Sequence, residues 1–221
     1  MSDEIIVELN NVFLKSDRGA PVFQDLNFKL VAGRSAIITG AAGSGKSMLA
    51  ELLVGRRFAD QGSVELFGQV VRRSKKRTIR KVRRKIGGIG GIFDLVPSFT
   101  VAENIMFPMV LVGERKKVRK ERLLNMLTEF SLLKQATERP DRLTRVERTL
   151  VQFARASVAN QPLIIVDEPL AGLDQKTYER IFEYMIKISC SGRSAIFLSA
   201  ETLPREIPNS DSYQLINGAL V

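Results

Sequence analysis

Apolar positions come in short strand-like runs in the first third of the chain, take on helical spacing from Ser98 to about Ala159, and return to strand-like runs beyond residue 160. Ile5 to Leu9 and Asn27 to Leu30 alternate with the two-residue period of half-buried strands. A polar turn, Lys15 to Pro21, separates the first from Val22, so the pattern predicts an antiparallel opening sheet. Arg34 to Thr39 is a short apolar run ending at Gly40, and Lys46 to Val54 then places Met48, Leu49, Leu52 and Leu53 at helical spacing. Gly62 to Gly68 reads as a further strand between turn residues. In the helical stretch, one apolar stripe runs through Leu123, Leu127 and Phe130, with Leu124 and Met126 beside it. Leu150, Phe153, Ala154 and Ser157 make another. Leu163 to Val166 and Ser194 to Ser199 are strands separated by a helix around Tyr178 to Ile188. Such alternation predicts an α/β fold, a mainly parallel sheet covered by helices.

Composition narrows the class. The chain has 221 residues and 44% hydrophobic content, enough to bury a full core in one compact domain with an inserted lobe. No run approaches the roughly 18 apolar residues of a membrane span. Met1 to Asn10 is acidic and then strand-like, unlike a secretory leader, and the single Cys190 suits a reducing compartment, so a cytoplasmic location is expected. Tyr213 to Val221 ends the given sequence, and no further C-terminal domain is expected.

The formal charge of +10 is concentrated. Arg72, Arg73, Lys75, Lys76, Arg77, Arg80, Lys81, Arg83, Arg84 and Lys85 are ten basic residues in a segment without acids, and the remainder is formally neutral. Three readings stand: a solvated face, a contact with anionic lipid or an acidic partner, and a nucleic-acid contact. The segment has no aromatic residue to stack on bases, which disfavours the third.

Residues 40 to 47, Gly-Ala-Ala-Gly-Ser-Gly-Lys-Ser, form the G-x-x-x-x-G-K-[ST] phosphate-binding pattern between a strand and a helix. Gly40, Gly43 and Gly45 let backbone N–H groups turn toward phosphates without Cβ interference. Lys46 supplies a point charge to the β- and γ-phosphates, and the Ser47 hydroxyl is a ligand for Mg²⁺. The nucleotide-contacting set is Gly40, Ala41, Ala42, Gly43, Ser44, Gly45, Lys46, Ser47 and Met48. Leu163 to Glu168 adds an apolar strand that delivers two carboxylates at its C-terminal end, where open α/β sheets bind ligands. Asp167 is placed to hold Mg²⁺ through water, and Glu168 to orient the water that attacks the γ-phosphate, as the catalytic residue.

Together with Ala171-Gly172-Leu173-Asp174, these motifs resemble an ATP-binding cassette (ABC) ATPase from about Ile5 to Val221. The stretch Leu95-Val96-Pro97-Ser98-Phe99-Thr100-Val101-Ala102-Glu103-Asn104-Ile105 is similar to the subgroup of lipoprotein-release and FtsE-like cell-division ATPases. The resemblance implies a P-loop core with an N-terminal antiparallel β subdomain and an inserted helical subdomain. It divides the chain into 1–97 with 160–221 for core and β subdomain, and about 98–159 for the helical lobe. It further implies ATP and Mg²⁺ as ligands, a homo- or heterodimer of nucleotide-binding subunits, an integral-membrane permease-like partner, and a place on the cytoplasmic membrane face; the charge of Arg72 to Lys85 separately offers a contact with anionic lipid there.

Other family positions depart from the pattern. The glutamine six residues before Pro97 is replaced by Gly91, in a glycine-crowded stretch expected to be pliable. The L-S-G-G-Q signature corresponds to Leu143-Thr144-Arg145-Val146-Glu147, where Thr144 keeps a hydroxyl, side chains replace the glycines, and Glu147 adds negative charge. The chain contains no histidine, so the switch histidine is missing near Ser199-Ala200-Glu201. Ser16 takes the place of the adenine-stacking aromatic, with Phe13 as a less well-placed substitute. Each lost charge-stabilising donor costs about 10²- to 10³-fold in rate. Two functions therefore compete: an ATPase of low basal activity that couples to a membrane partner in transport, lipid or lipoprotein trafficking or an FtsE-like role, and a non-hydrolysing regulatory subunit. A non-transport ABC protein acting on nucleic acid is a third, resting on basicity alone.

Overall fold

The computed structural model describes residues 4–170, 172–203 and 205–221. Strands β1 (Ile5–Lys15) and β2 (Pro21–Val31) form an antiparallel hairpin, extended by β4 (Gln61–Leu66) and β5 (Gln69–Val70) in the order β2-β1-β4-β5. Both hairpin strands outrun the alternation that predicts them. Asn11 and Asp25 take positive φ at 48° and 64°, and the Asn11 side chain donates to Asp25 Oδ1 at 2.7 Å. These irregularities shift the register and interrupt the sequence period without ending the ladder.

The second sheet has the order β10-β9-β3-β8-β7-β6. Its strands are β3 (Ser35–Thr39), β6 (Ile86–Gly90), β7 (Leu163–Asp167), β8 (Ser194–Ser199), β9 (Ser210–Ile216) and β10 (Ala219–Leu220), parallel except for the β9–β10 hairpin. The central strands are continuous apolar runs because both faces are covered. Ala36 and Ile38 of β3, Ile165 of β7, and Ile196 and Leu198 of β8 pack toward the antiparallel sheet and helix α1 (Lys46–Leu53). Their neighbours Ile37, Ile164, Val166, Ala195 and Phe197 pack against the helices of the other face. That alternation is the strand period applied to a sheet buried on both sides.

The helices of the second face are α3 (Val101–Leu111), α4 (Lys116–Glu129) and α5 (Arg145–Val158), all between β6 and β7, and α6 (Gln175–Cys190) between β7 and β8. Of the two sequence stripes, Leu127, Phe130, Leu150, Phe153 and Ala154 are buried, whereas Leu124 is 57% exposed. Part of the basic segment is helix α2 (Lys76–Arg83), with Ile79 and Val82 buried beneath it. Among the described residues, no helix is long and apolar enough to cross a membrane.

Candidate functional site

The parallel topology puts the C-terminal ends of β3, β7, β8 and β6 side by side, and four sequence-flagged segments leave the sheet there. Residues 40 to 45 join β3 to α1. Gly45 caps the helix with φ 108°, and a Cβ on it would stand 2.8 Å from Val22 Cγ1, so both backbone and space demand glycine. Gly40 is constrained by space instead, because its Cβ would meet Ser44 Oγ at 2.7 Å.

Lys46 is folded into this loop and is 5% exposed. Its ammonium donates to Gly40 O at 2.6 Å and Ala41 O at 3.1 Å, and pairs with Glu168 Oε1 at 3.3 Å. The other Glu168 oxygen, Oε2, accepts from Ala200 N at 3.0 Å, and the Glu168 amide donates to Leu198 O at 3.0 Å with φ 52°. Glu168 therefore links the phosphate loop to the exit of β8, where the sequence lacks a histidine. At that exit Ser199 Oγ donates to Glu201 O at 2.7 Å and accepts from Glu201 N at 3.2 Å, so its hydroxyl is committed to its own turn.

Asp167 ends β7 at 1% exposure, and neither carboxylate oxygen has a hydrogen-bond partner. Burial pushes its pKa up, opposed by the Ser47 hydroxyl, reinforced by Glu168 and opposed again by Lys46. A buried, unpartnered carboxylate beside a serine hydroxyl is a donor set suited to a hard cation. A cleft of about 880 Å³ flanks the loop, lined by Val22, Gly40 to Ser44, Ala200 and Gln214 to Gly218.

The glycine stretch before Pro97 is not slack, as its composition suggested. Gly90 and Gly91 have φ of 74° and 42°, and a Cβ on Gly91 would overlap Asp167 Oδ2. Two α5 side chains grip the turn. Gln152, 8% exposed, accepts from Gly90 N at 2.9 Å and donates to Phe93 O at 3.3 Å. Arg155 donates to Phe93 O and, at 2.8 Å, to Asp94 O. Its burial lowers its pKa to about 10, which leaves it cationic at neutral pH. Glycine here serves close approach to Asp167 rather than pliability. Gln152 carried no signal in the sequence, since a lone glutamine on a helix reads as solvated.

The signature-position residues begin α5. Thr144 is its N-cap and forms a capping box: Glu147 N donates to Thr144 Oγ1 at 3.2 Å and Thr144 N donates to Glu147 Oε2 at 2.8 Å. The Thr144 hydroxyl donates to the same Oε2 at 2.9 Å, and Gln135 donates to Oε1 at 2.8 Å. These bonds, led by the Thr144 backbone, hold the Glu147 carboxyl below the usual range. The hydroxyl expected to serve a phosphate is thus turned to the chain's own carboxylate. Arg145 is exposed, with Nη1 2.9 Å from where a Cβ on Gly172 would lie. Of the turn 171–174, Ala171 lies outside the described residues, and Asp174 N-caps α6 by accepting from Thr177 N at 3.1 Å. Ser16 Oγ accepts from Ala20 N at 3.2 Å inside the first hairpin turn, and Phe13 is 38% exposed on β1.

The structure thus joins residues 40 to 47, Asp167 and Glu168 at one edge, with Ser199, Ala200 and Gly91 around them. Comparison with known proteins finds similar chains and folds. A lipoprotein-releasing system ATP-binding protein, LolD, from Xanthomonas axonopodis pv. citri (strain 306) is 31% identical over 191 residues, covering 86% of this chain and 78% of its own. The cell division ATP-binding protein FtsE of Bacillus subtilis (strain 168) is 28% identical, covering 96% and 91%. The dimeric ATP-binding cassette MJ0796, in a post-hydrolysis state bound to ADP and Pi, superposes with a TM-score of 0.83 at 25% identity, covering 97% and 96%. The family model described as "ABC transporter" matches residues 23–171, and the chain belongs to that family.

Proposed function

We propose that the chain is the ATP-binding subunit of an ABC-type membrane complex, in which nucleotide binding predominates and hydrolysis is slow. The observation that carries this is the convergence of Lys46, Glu168 and Asp167 at the glycine loop. The Lys46 ammonium already sits among carbonyl oxygens and a carboxylate, a set that phosphate oxygens replace with stronger charge-assisted bonds. Ser47 and Asp167 suit Mg²⁺, which would neutralise phosphate charge. Among the described residues no group of three His, Cys, Asp or Glu side chains is placed to hold a metal ion, so the ion would be held jointly with the nucleotide. Released from Lys46, the Glu168 carboxylate is a base beside the loop, and Ala200 N keeps it oriented.

Slow turnover follows from what surrounds this core. Gly91 brings no side chain to Asp167, the Ser199 turn offers no imidazole, and Thr144 and Glu147 satisfy each other. A homodimer of this chain would carry those losses in both shared sites. The family relatives named for lipoprotein release and cell division support a permease-like membrane partner at the cytoplasmic face, and the basic segment 72–85 supports an added contact with anionic lipid.

Two measurements test this reading. Lys46→Ala is expected to abolish binding of ATP-Mg²⁺ by the purified chain while the fold persists. Pull-down from native membranes is expected to bring an integral-membrane subunit; intact ATP binding in Lys46→Ala, or only soluble partners, would contradict the proposal.

A further inference from the structure

Helix α2 presents a face whose chemistry the nucleotide site does not use. Its buried side is Ile79 and Val82, and Arg77, Arg80, Lys81 and Arg84 follow at i, i+3, i+4 and i+7 on the opposite side, all exposed. Lys76 and Lys85 flank this stripe and are exposed as well. Among the described residues, no ion pair involves any basic side chain between Arg72 and Lys85, although carboxylates elsewhere pair with Lys29, Arg34, Arg57, Arg122, Lys187 and Arg205. Exposed like charges in a row repel one another, and an external anion relieves that repulsion.

The helix is also held firmly. Arg83 departs from the outward stripe and donates to Val54 O at 2.7 Å and Gly55 O at 2.9 Å, the carbonyls at the end of α1. A Cβ on Gly55 would lie 3.1 Å from Ile79 Cγ2, so helix and turn are in close contact. Since α1 begins at the phosphate loop, and β6 leads from α2 to Gly90 and Gly91 against Asp167, the basic stripe is fixed relative to both halves of the nucleotide site.

We infer that the Arg77, Arg80, Lys81 and Arg84 face of α2 is an electrostatic foot that docks on the anionic phosphate headgroups of a bilayer and sets the orientation of the phosphate loop toward the membrane. The stripe carries no exposed apolar side chain for insertion and no aromatic for base stacking, which fits a planar, phosphate-rich surface. The choice of a bilayer over other polyanions rests on reading the chain as part of a membrane complex; the docking itself does not require ATP.

The test is co-sedimentation of the full chain, without nucleotide, with phosphatidylcholine vesicles that contain or lack about one-third phosphatidylglycerol. Binding is expected only to the anionic vesicles and should fall steeply with added salt. Replacing the four stripe residues by Glu is expected to weaken it by at least about a hundredfold, given roughly tenfold or less per charge. Arg77→Lys with Arg80→Lys and Arg84→Lys should retain it. Should the Glu variant fold poorly, four Gln replacements provide the same comparison, with ATP binding as the check on the fold. Equal binding to neutral vesicles, an unaffected stripe variant, or tighter binding to duplex RNA at the same salt overturns the inference. Lys46→Ala should still bind vesicles, so a failure of the nucleotide reading and a failure of docking are distinguishable.

Discussion

Glu147 shows how one carboxylate alters the use of a helix end. It accepts from the Thr144 amide and hydroxyl, so it stabilises α5 while placing negative charge where a phosphate would approach. Glu147→Gln keeps a side chain able to complete the capping box but removes the charge. ATP-dependent self-association, followed by light scattering in a Glu168→Gln background, is expected to increase in Glu147→Gln; no change would mean that this charge does not limit the shared site. Because the folded-state pKa is lowered, the stability that Glu147 contributes is present above its unfolded value near 4.5 and is lost as pH falls through the folded value. Glu147→Ala should therefore cost about 0.5 to 1 kcal/mol at neutral pH, with the difference from wild type shrinking in acid unfolding experiments below that range. Gln152 and Gly91 make a second case. Gln152→Ala leaves Gly90 N without its buried partner, while Phe93 O keeps Arg155, and is expected to destabilise by about 1 to 3 kcal/mol in urea unfolding. Gly91→Gln is expected to lower stability without restoring turnover, because its Cβ overlaps Asp167 Oδ2. The phosphate loop and the Asp167-Glu168 pair were legible in the sequence because their chemistry is local and contiguous. The grip of Gln152 and Arg155 on residues 90 to 94 was not, because it joins positions about sixty apart by backbone bonds that leave no motif.

At the scale of elements, the strands whose both faces are buried were plain in the sequence as apolar runs: β3, β7 and β8. Two others were hidden for opposite reasons. Strand β6 is Ile-Gly-Gly-Ile-Gly, and its glycines are needed where Gly87 approaches Ala156 O of α5 and Gly88 approaches the Phe93 ring. Strand β9 is Ser-Asp-Ser-Tyr-Gln-Leu-Ile, mostly polar because only Leu215 is fully buried along it. The charge run was legible as a run, but only the helix shows which basic residues share a face and which one, Arg83, is spent on the α1 carbonyls. Arg83→Ala is accordingly expected to destabilise by about 1 to 3 kcal/mol in urea unfolding, whereas Arg77→Ala, exposed and unpaired, should change stability by less than about 0.5 kcal/mol.

For the whole molecule, the fold places a complete phosphate loop and its two carboxylates at one sheet edge, and surrounds them with contacts that the chain satisfies internally. Binding is therefore predicted to survive where catalysis does not. ATP-Mg²⁺ at about a hundredfold excess over its Kd should stabilise the chain by about 2.7 kcal/mol, an increment absent in Lys46→Ala. The most direct test is steady-state ATP turnover by the purified chain under conditions where binding is demonstrated. The account predicts a rate of roughly 0.01 s⁻¹ or less, at least about a hundredfold below ordinary enzyme turnover, and lost altogether in Glu168→Gln. Turnover of about 1 s⁻¹ or faster without any partner would contradict it.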